Sequence, residues 1–475
     1  MRRKITDKPE SFSVAIIGGG FSGAILASEL LRSDNRALTV SLIEREGCPG
    51  RGVAYSTNIA GHLLNVRAQN MSARGDDPLH FLRWAREHYS DTVQPNDYLP
   101  RRVYGKYVES TLCDAIEENP GRFEWKRDEA LSVTPTNGRA TVLLKSGYRI
   151  HADAVVLALG NFPQNDLTIP GRNGLSRRFV SNPWSVNALD EISPKNSIFL
   201  IGCGLTSVDV AISLRTRGFL GKIHMLSRHG LLPQTHKPRE QWPKRWDHQP
   251  SLGIRSLLRL IRSEVEKAEN ENIDWRAVID SMRPFAQAIW QSLPHRERRR
   301  FLRHLRVYWD VHRHRVAPEV GKLLETEMAE GRLEIHGGRI TEYRENADSV
   351  EVAYRGRGCR ELKTLCVDYV INCTGPNDNC LKVGSPLLND LLNQKLVRPD
   401  ALFLGLDTAD NGALLDFNGR PSDFLYALGP LRKGNLWETI AVPELRVQVS
   451  ELVLQLLSGF EGRRVENVVL DQAVA

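Results

Sequence analysis

Two short glycine patterns are the residues in this sequence most able to do chemistry. The first, Gly18-x-Gly20-x-x-Gly23, has Phe21 and Ser22 in its gap. It follows the apolar run Ser13-Val-Ala-Ile-Ile and leads into Ala24-Ile-Leu-Ala-Ser-Glu-Leu-Leu31 at helical spacing. The second, Gly202-x-Gly204-x-x-Ser207, has Leu205 and Thr206 in its gap, follows Ser197-Ile-Phe-Leu-Ile and leads into Val208-Asp-Val-Ala-Ile-Ser-Leu-Arg215. Glycine in such a turn lets the main chain approach a diphosphate, and the helix that follows offers free N–H groups and the positive end of its dipole. A glycine turn alone is a weak signal. Each of these sits between a strand pattern and a helix pattern, with a further strand after the helix, which is the full dinucleotide-binding context.

The two motifs differ at the end of that further strand. Leu38-Thr-Val-Ser-Leu-Ile-Glu44 ends in an acid, 21 residues after Gly23, followed by Arg45. A carboxylate there accepts hydrogen bonds from ribose hydroxyls. Lys222-Ile-His-Met-Leu-Ser227 ends instead in Ser227-Arg228-His229. A guanidinium there suits a ribose 2′-phosphate, so NADP is expected in preference to NAD. The expected cofactors are FAD at the first site and NADP at the second.

These turns must be held by sheets, and the chain supplies the strands. Asp153-Ala-Val-Val-Leu-Ala-Leu-Gly160 and Asp368-Tyr-Val-Ile-Asn-Cys-Thr-Gly375 share one form, an aspartate, an apolar run and a closing glycine. They read as the strands that return the chain between two domains, with Gly160 and Gly375 beside the cofactors. Asp423-Phe-Leu-Tyr-Ala-Leu-Gly429 reads as a strand ending where a flavin would lie, with Pro430 and Leu431 at the ring and Trp437 as a wall or a core residue.

The whole pattern resembles the bacterial YdhS-like FAD/NAD(P)-binding proteins, within the wider group of two-dinucleotide flavoproteins. The resemblance rests on Arg51-Gly-Val-Ala-Tyr-Ser56, His62-Leu-Leu-Asn-Val66, Met71-Ser-Ala73, Pro100-Arg-Arg-Val-Tyr-Gly105, Tyr308 to Arg315 and Gly429-Pro-Leu-Arg-Lys-Gly434. It implies that Arg51, Ala54, Tyr55, Asn65, Val66 and Met71 pass beside FAD. In that wider group an aspartate usually follows the glycine at position 429; here Pro430 does.

The expected fold class is α/β, with two Rossmann-like domains. A FAD domain in two parts, 12–166 and 386–461, encloses an NADP domain at 167–385, which carries a helical insertion at 231–330. Residues 1–11 read as a basic polar tail. Length agrees with this count: 475 residues correspond to about three domains. Hydrophobic residues make up 41% and charged residues 25%, ordinary for a globular chain and unlike a collagen or a disordered one. Seven cysteines without a CxxC read as reduced thiols in the cytoplasm. Met1-Arg-Arg-Lys4 before an apolar stretch imitates a signal peptide, but glycines 18, 19, 20 and 23 interrupt it, and no membrane span is expected.

The net charge of +7 has a location. Arg296, Arg298, Arg299, Arg300, Arg303, Arg306, Arg313 and Arg315 fall on one expected helical run in the insertion, opposed by Glu297 and Asp310. The readings open at this point are a solvated face, a grip on cofactor phosphate or an acidic substrate, and an acidic partner; no nucleic-acid motif is present. His295, His304, His312 and His314 have no carboxylate or cysteine placed to complete a metal site, so no metal is expected.

FAD with NADPH implies hydride transfer to the flavin, and the electron acceptor then defines the enzyme. A disulfide reductase needs paired cysteines at the flavin, and only Cys48 is near the first motif. The leading expectation is an N-hydroxylating type of monooxygenase, forming a flavin C4a-hydroperoxide with O2 beside a small-molecule substrate. Arg432 and Lys433 are candidates to meet that substrate if it is anionic. The alternatives are an NADPH dehydrogenase serving a quinone or protein acceptor, and a non-enzymatic FAD/NADP-binding redox sensor. No residue reads as an obligatory acid, base or nucleophile.

Overall fold

The structure, a computed structural model, describes residues 12–136, 139–172, 174, 176–238, 240–243, 246 and 253–474, with side chains of the last helix as far as Phe460. The N-terminal tail and part of the proline- and tryptophan-rich loop at 233–250 lie outside the described residues.

The first part of the chain builds β1 (Phe12–Ile17), α1 (Phe21–Arg32), β2 (Leu38–Ile43), α2 (Gly52–Tyr55), α3 (His80–His88), α4 (Arg101–Glu117) and β3 (Phe123–Lys126). An antiparallel ribbon follows, β4 (Ala130–Thr136), β5 (Arg139–Leu144) and β6 (Arg149–Ala152), and then β7 (Ala154–Leu157). Strands β1 and β7 are apolar at nearly every position because both faces of a parallel sheet are covered. One face packs on α1 and α4 through Ile16, Ala24, Leu26, Tyr104 and Val108, all essentially without solvent exposure. The other face packs on the antiparallel ribbon through Ile17, Val155, Val133 and Val142.

The chain then crosses to a second sheet. This holds β8 (Phe179–Val180), β9 (Ile198–Ile201), α5 (Leu205–Thr216) and β10 (Ile223–Ser227). The helical insertion follows as α6 (Ile254–Asn270), α7 (Trp275–Ser281), α8 (Ala286–Ser292), α9 (His295–His304) and α10 (Arg306–Arg313). After it come α11 (Pro318–Ala329), β11 (Leu333–Glu345), β12 (Val350–Gly356), β13 (Leu362–Val367) and β14 (Tyr369–Asn372). The strand order is β13-β12-β11-β10-β9-β14-β8.

The last part, α12 (Pro386–Asn393), β15 (Ala413–Leu415), β16 (Pro421–Ala427), α13 (Lys433–Leu436) and α14 (Val442–Val474), returns to the first sheet, whose order is β15-β16-β7-β1-β2-β3. Two mixed sheets built around parallel strands, one completed from both ends of the chain, give the expected α/β class.

The insertion differs from expectation in three ways. Helix α11 lies within the expected span of 231–330, yet Val320 and Leu324 pack with Ile223, Met225 and Leu333 of the second sheet. It is the ordinary crossover helix between the parallel strands β10 and β11. The insertion is also not continuous helix: α7 and α8 are parted by a 3-10 turn at Arg283–Phe285, where Pro284 lacks the N–H that a helix interior needs. The arginine run is likewise two helices, parted at Leu305.

Candidate functional site

At the first glycine turn the backbone conformation is demanding. Gly18 has φ 107°, and a Cβ there would collide with the Ala158 carbonyl just past β7. A Cβ on Gly23 would fall inside the shell of the Gly18 carbonyl oxygen, so only glycine lets α1 start this close to β1. Gly20 is the N-cap of α1 in extended conformation, and no side chain caps the helix. The first N–H groups of a helix have no partner inside it, so they face outward. The nearest atom to a Cβ on Gly20 would be the Gly52 Cα, at 3.6 Å.

Glu44 stands at the end of β2 as expected. Its two carboxylate oxygens accept from the N–H groups of Gly19 and Glu46, at 2.7 and 2.9 Å. A Cβ on Gly19 would lie 2.7 Å from the Glu44 Cβ, so this acid rests directly on the turn. Arg45 points away and pairs with Glu46 and Glu129.

The loop after β2 closes over the turn. Gly50 donates its N–H to the Gly19 carbonyl at 2.7 Å. Tyr55 packs edge-on against Tyr104 and faces Phe21, and burial pushes its phenol up to about 12. Ala54 is exposed in α2. Arg51 is placed beside the turn, but its guanidinium is held in a two-pronged pair with Glu109, at 2.7 and 2.6 Å. Its charge is therefore largely answered by α4. Asn65 gives its carbonyl to the His236 ring at 3.0 Å, Val66 packs at the margin of the first core, and Met71 is inside it.

The third wall is the end of β16. Gly429 has φ 79°, and a Cβ there would lie 3.3 Å from the Ser22 hydroxyl, so the start of α1 and the end of β16 meet. Gln448, Thr439 and Gly429 form a buried chain: the Gly429 N–H donates to Gln448 Oε1, and the Thr439 hydroxyl donates to the Gly429 carbonyl. Pro430 and Leu431 follow in a 3-10 turn, with the Leu431 side chain buried.

The second turn repeats the first with one change. Gly202 has φ 129° and abuts the Cys373 carbonyl. Gly204 is the uncapped N-cap of α5, and a Cβ there would meet nothing within 4 Å. Leu205 and Thr206 begin the helix. In place of the third glycine, the Ser207 hydroxyl donates to the Gly202 carbonyl at 2.8 Å, bracing the same turn through a side chain.

At the end of β10 the Ser227 hydroxyl accepts from the Gly230 N–H at 3.0 Å. Arg228 is exposed and has no acidic partner among the described residues. His229 stands beside it with a buried, unpartnered Nδ1. Burial and the positive charges of Arg357 and Arg228 lower its pKa. Arg357, whose N–H donates to the Gly337 carbonyl, is a basic residue of this corner that sequence reading misses. It lies 129 positions after Arg228 and joins it only through the β10–β11–β12 pairing.

The two returns, Gly160 with φ 65° and Gly375 with φ 87°, run side by side beyond their strands. Phe162 and Asn377 form an antiparallel bridge there, and Asn372 donates to the Asn165 carbonyl at 3.0 Å.

The structure narrows three of these readings. Trp437 is only 7% exposed, stacked on Trp290 at 5.0 Å and edge-on to Phe301 at 5.1 Å. It is the core residue that seats the insertion on the segment after β16, and no open wall. Arg432 is buried and donates to the Asp410 carbonyl, while Lys433 pairs with Asp378 at 2.8 Å. Neither is free for an anionic substrate. Much of the arginine run is committed too: Arg313 reaches Glu444, Arg306 reaches Asp378 and Asp310, and Arg315 pairs with Asp280. Arg296, Arg299 and Arg303 form the exposed remainder. Of the cysteines read as reduced thiols, Cys203, Cys373 and Cys380 are buried, and Cys359 and Cys366 are exposed. Cys48 is a free, exposed thiol.

Among the described residues no helix is long and apolar enough to cross a membrane. Residues 15–162 match a family described as FAD-NAD(P)-binding. No curated protein matches the chain in sequence. Among solved structures, the chain is similar to the ornithine N-hydroxylase of Kutzneria sp. 744, solved with reduced FAD, NADP+ and L-ornithine. The TM-score is 0.62 and the identity 15%, over 94% of this chain and 99% of that one. It is similar to the ornithine hydroxylase of Pseudomonas aeruginosa, with TM-score 0.63 and 16% identity over 95% and 100%. It is also similar to the L-lysine 6-monooxygenase of Pseudomonas syringae, with TM-score 0.63 and 15% identity over 94% and 99%. At these identities the likeness is one of fold.

Proposed function

We propose that this chain is an FAD-dependent, NADPH-oxidising monooxygenase that N-hydroxylates a small amine-bearing substrate. The observation that carries the reading is the pair of uncapped glycine cradles with opposite charge at their strand ends, Glu44 at one and Arg228 at the other. The fold they occupy is shared, nearly end to end, with amine N-hydroxylases.

The residues fit the cofactors. Gly20 and Gly204 leave open the space that a side chain would fill, and the starts of α1 and α5 present N–H groups to a diphosphate. Glu44 stands where ribose hydroxyls would be gripped. Arg228, with His229 and Arg357, stands where a 2′-phosphate would be. Gly429 and Leu431 close the flavin end against Ser22. Bound FAD would supply the redox chemistry, accepting a hydride from NADPH and activating oxygen, which no side chain provides. The chain's own work is to bind, to orient and to exclude water. The insertion packs on the segment after β16, where Trp290 and Phe301 meet Trp437.

The test is coupling. A panel of primary amines, including basic amino acids and diamines, is added to the FAD-loaded protein with NADPH and oxygen. The expected result is one amine that accelerates NADPH oxidation and yields hydroxylamine in step with the NADPH consumed. Acceleration by quinones with no hydroxylamine from any amine would overturn the reading in favour of a dehydrogenase.

A further inference from the structure

Away from both cradles, three side chains on the second sheet converge. Strands β10 and β11 are parallel, with His224 opposite Glu334 and Leu226 opposite His336. Side chains alternate along a strand. Ile223, Met225, Leu333 and Ile335 turn toward α5 and α11, so His224, Glu334 and His336 share the opposite face. His224 Nδ1 lies 3.1 Å from His336 Nε2 and 3.3 Å from Glu334 Oε2, and His336 Nε2 lies 3.8 Å from the same oxygen.

These separations suit a metal. Ligands about 2.0–2.1 Å from a tetrahedral zinc stand about 3.3 Å from one another. The outer contacts suit one as well. Tyr354 Oη lies 3.0 Å from His336 Nδ1, which would fix that ring with its proton on Nδ1 and its Nε2 lone pair inward. Lys222 pairs with the other Glu334 oxygen, Oε1, leaving Oε2 for the histidines. The side chain of His224 is 8% exposed and that of His336 is 16% exposed, while Glu334 opens the site to solvent. Burial lowers the pKa of both rings and favours the neutral form that binds metals.

We propose that His224 Nδ1, Glu334 Oε2 and His336 Nε2 bind one late first-row divalent cation of the Zn2+ class, with water completing the shell. Two imidazoles and one carboxylate are a borderline-soft set that favours such ions over Ca2+ or Mg2+. In the ion's absence a proton bridges the two rings; on binding, the His224 proton moves to Nε2 and the ion takes its place. The ion would pin β10 to β11 just before Ser227 and Arg228.

The test uses the full-length protein, stripped with a chelator and titrated with Zn2+ against a chromophoric competitor. One tight equivalent is expected for the wild type. Glu334→Gln and His336→Gln should each weaken it by about tenfold or more, and Tyr354→Phe, a positioning change, by about tenfold. Zn2+ should raise the unfolding temperature of the wild type and leave that of the His224→Ala/His336→Ala double variant unmoved. Should the double variant fail to fold, Co2+ added to the wild type decides: a visible d–d band of a low-coordinate site supports the proposal, and a hexaaquo-like spectrum overturns it. Equal Zn2+ binding by wild type and variants would also overturn it, leaving the triad as a hydrogen-bonded histidine pair.

Discussion

The two glycine turns perform one mechanical task by different means. In the first, Gly23 has no side chain because the Gly18 carbonyl occupies the place a Cβ would take. In the second, Ser207 stands at the matching position, and its hydroxyl donates to the matching carbonyl of Gly202. The turn therefore requires close packing of helix on strand and tolerates a side chain only where the backbone has moved to admit one. The strand ends diverge further. Glu44 is folded back on its turn, accepting two backbone N–H groups, whereas Arg228 is exposed with no acid among the described residues to answer it. An acid held by its own backbone is pre-organised for neutral hydroxyls. An exposed guanidinium suits an anion.

Exchanging features between the turns should break this comparison in a graded way. The largest effect is expected from Gly23→Ser, which copies the second turn into the first. The added Cβ meets a carbonyl that cannot retreat without moving β1, and we expect a loss of about 3 kcal/mol or more, read as a fall in unfolding temperature and in bound FAD. Next is Arg228→Ala. Charge-assisted bonds to phosphate contribute about 1.5–3 kcal/mol, so KM for NADPH should rise by about ten- to a hundredfold while KM for NADH hardly changes. Equal changes for both nucleotides would remove the 2′-phosphate role.

Glu44→Gln comes third. A neutral amide accepts more weakly than a carboxylate by about 1 kcal/mol, so FAD should bind about five- to tenfold more weakly in an equilibrium titration. The smallest effect belongs to Ser207→Ala, which removes one hydrogen bond and leaves the helix in place. A loss of about 1 kcal/mol is expected in denaturant unfolding, with NADPH still bound. A Ser207→Ala loss as large as that of Gly23→Ser would contradict the distinction between the turns.

Much of the site was legible in the sequence because its signals are local. Strand, glycine turn, helix and strand lie within about 30 residues in a dinucleotide motif, and the acid or base at the end is read by counting. What was not legible depends on contacts between distant segments. Trp437 has an ordinary aromatic's choice between core and cavity, and only Trp290 and Phe301, 147 and 136 positions earlier, decide it. Arg432 and Lys433 read as available cations until Asp410 and Asp378 are brought to them. The arginine run read as a solvated face or an anion grip, yet Glu444 and Asp378 from beyond β11 answer part of it. Helix α11 looked like more of the insertion because an amphipathic pattern does not say which sheet it covers. The His224, Glu334 and His336 triad was invisible because parallel register, not spacing along the chain, assembles it.

With FAD in the first cradle and NADPH in the second, the nicotinamide should reduce the flavin. The most direct measurement is anaerobic rapid mixing of the FAD-loaded protein with NADPH or NADH while flavin absorbance is followed. Complete bleaching at one FAD per chain is expected with NADPH, much slower bleaching with NADH at equal concentration, and loss of that difference in Arg228→Ala. Flavin that stays oxidised with NADPH, or that is reduced equally fast by both nucleotides, would contradict it.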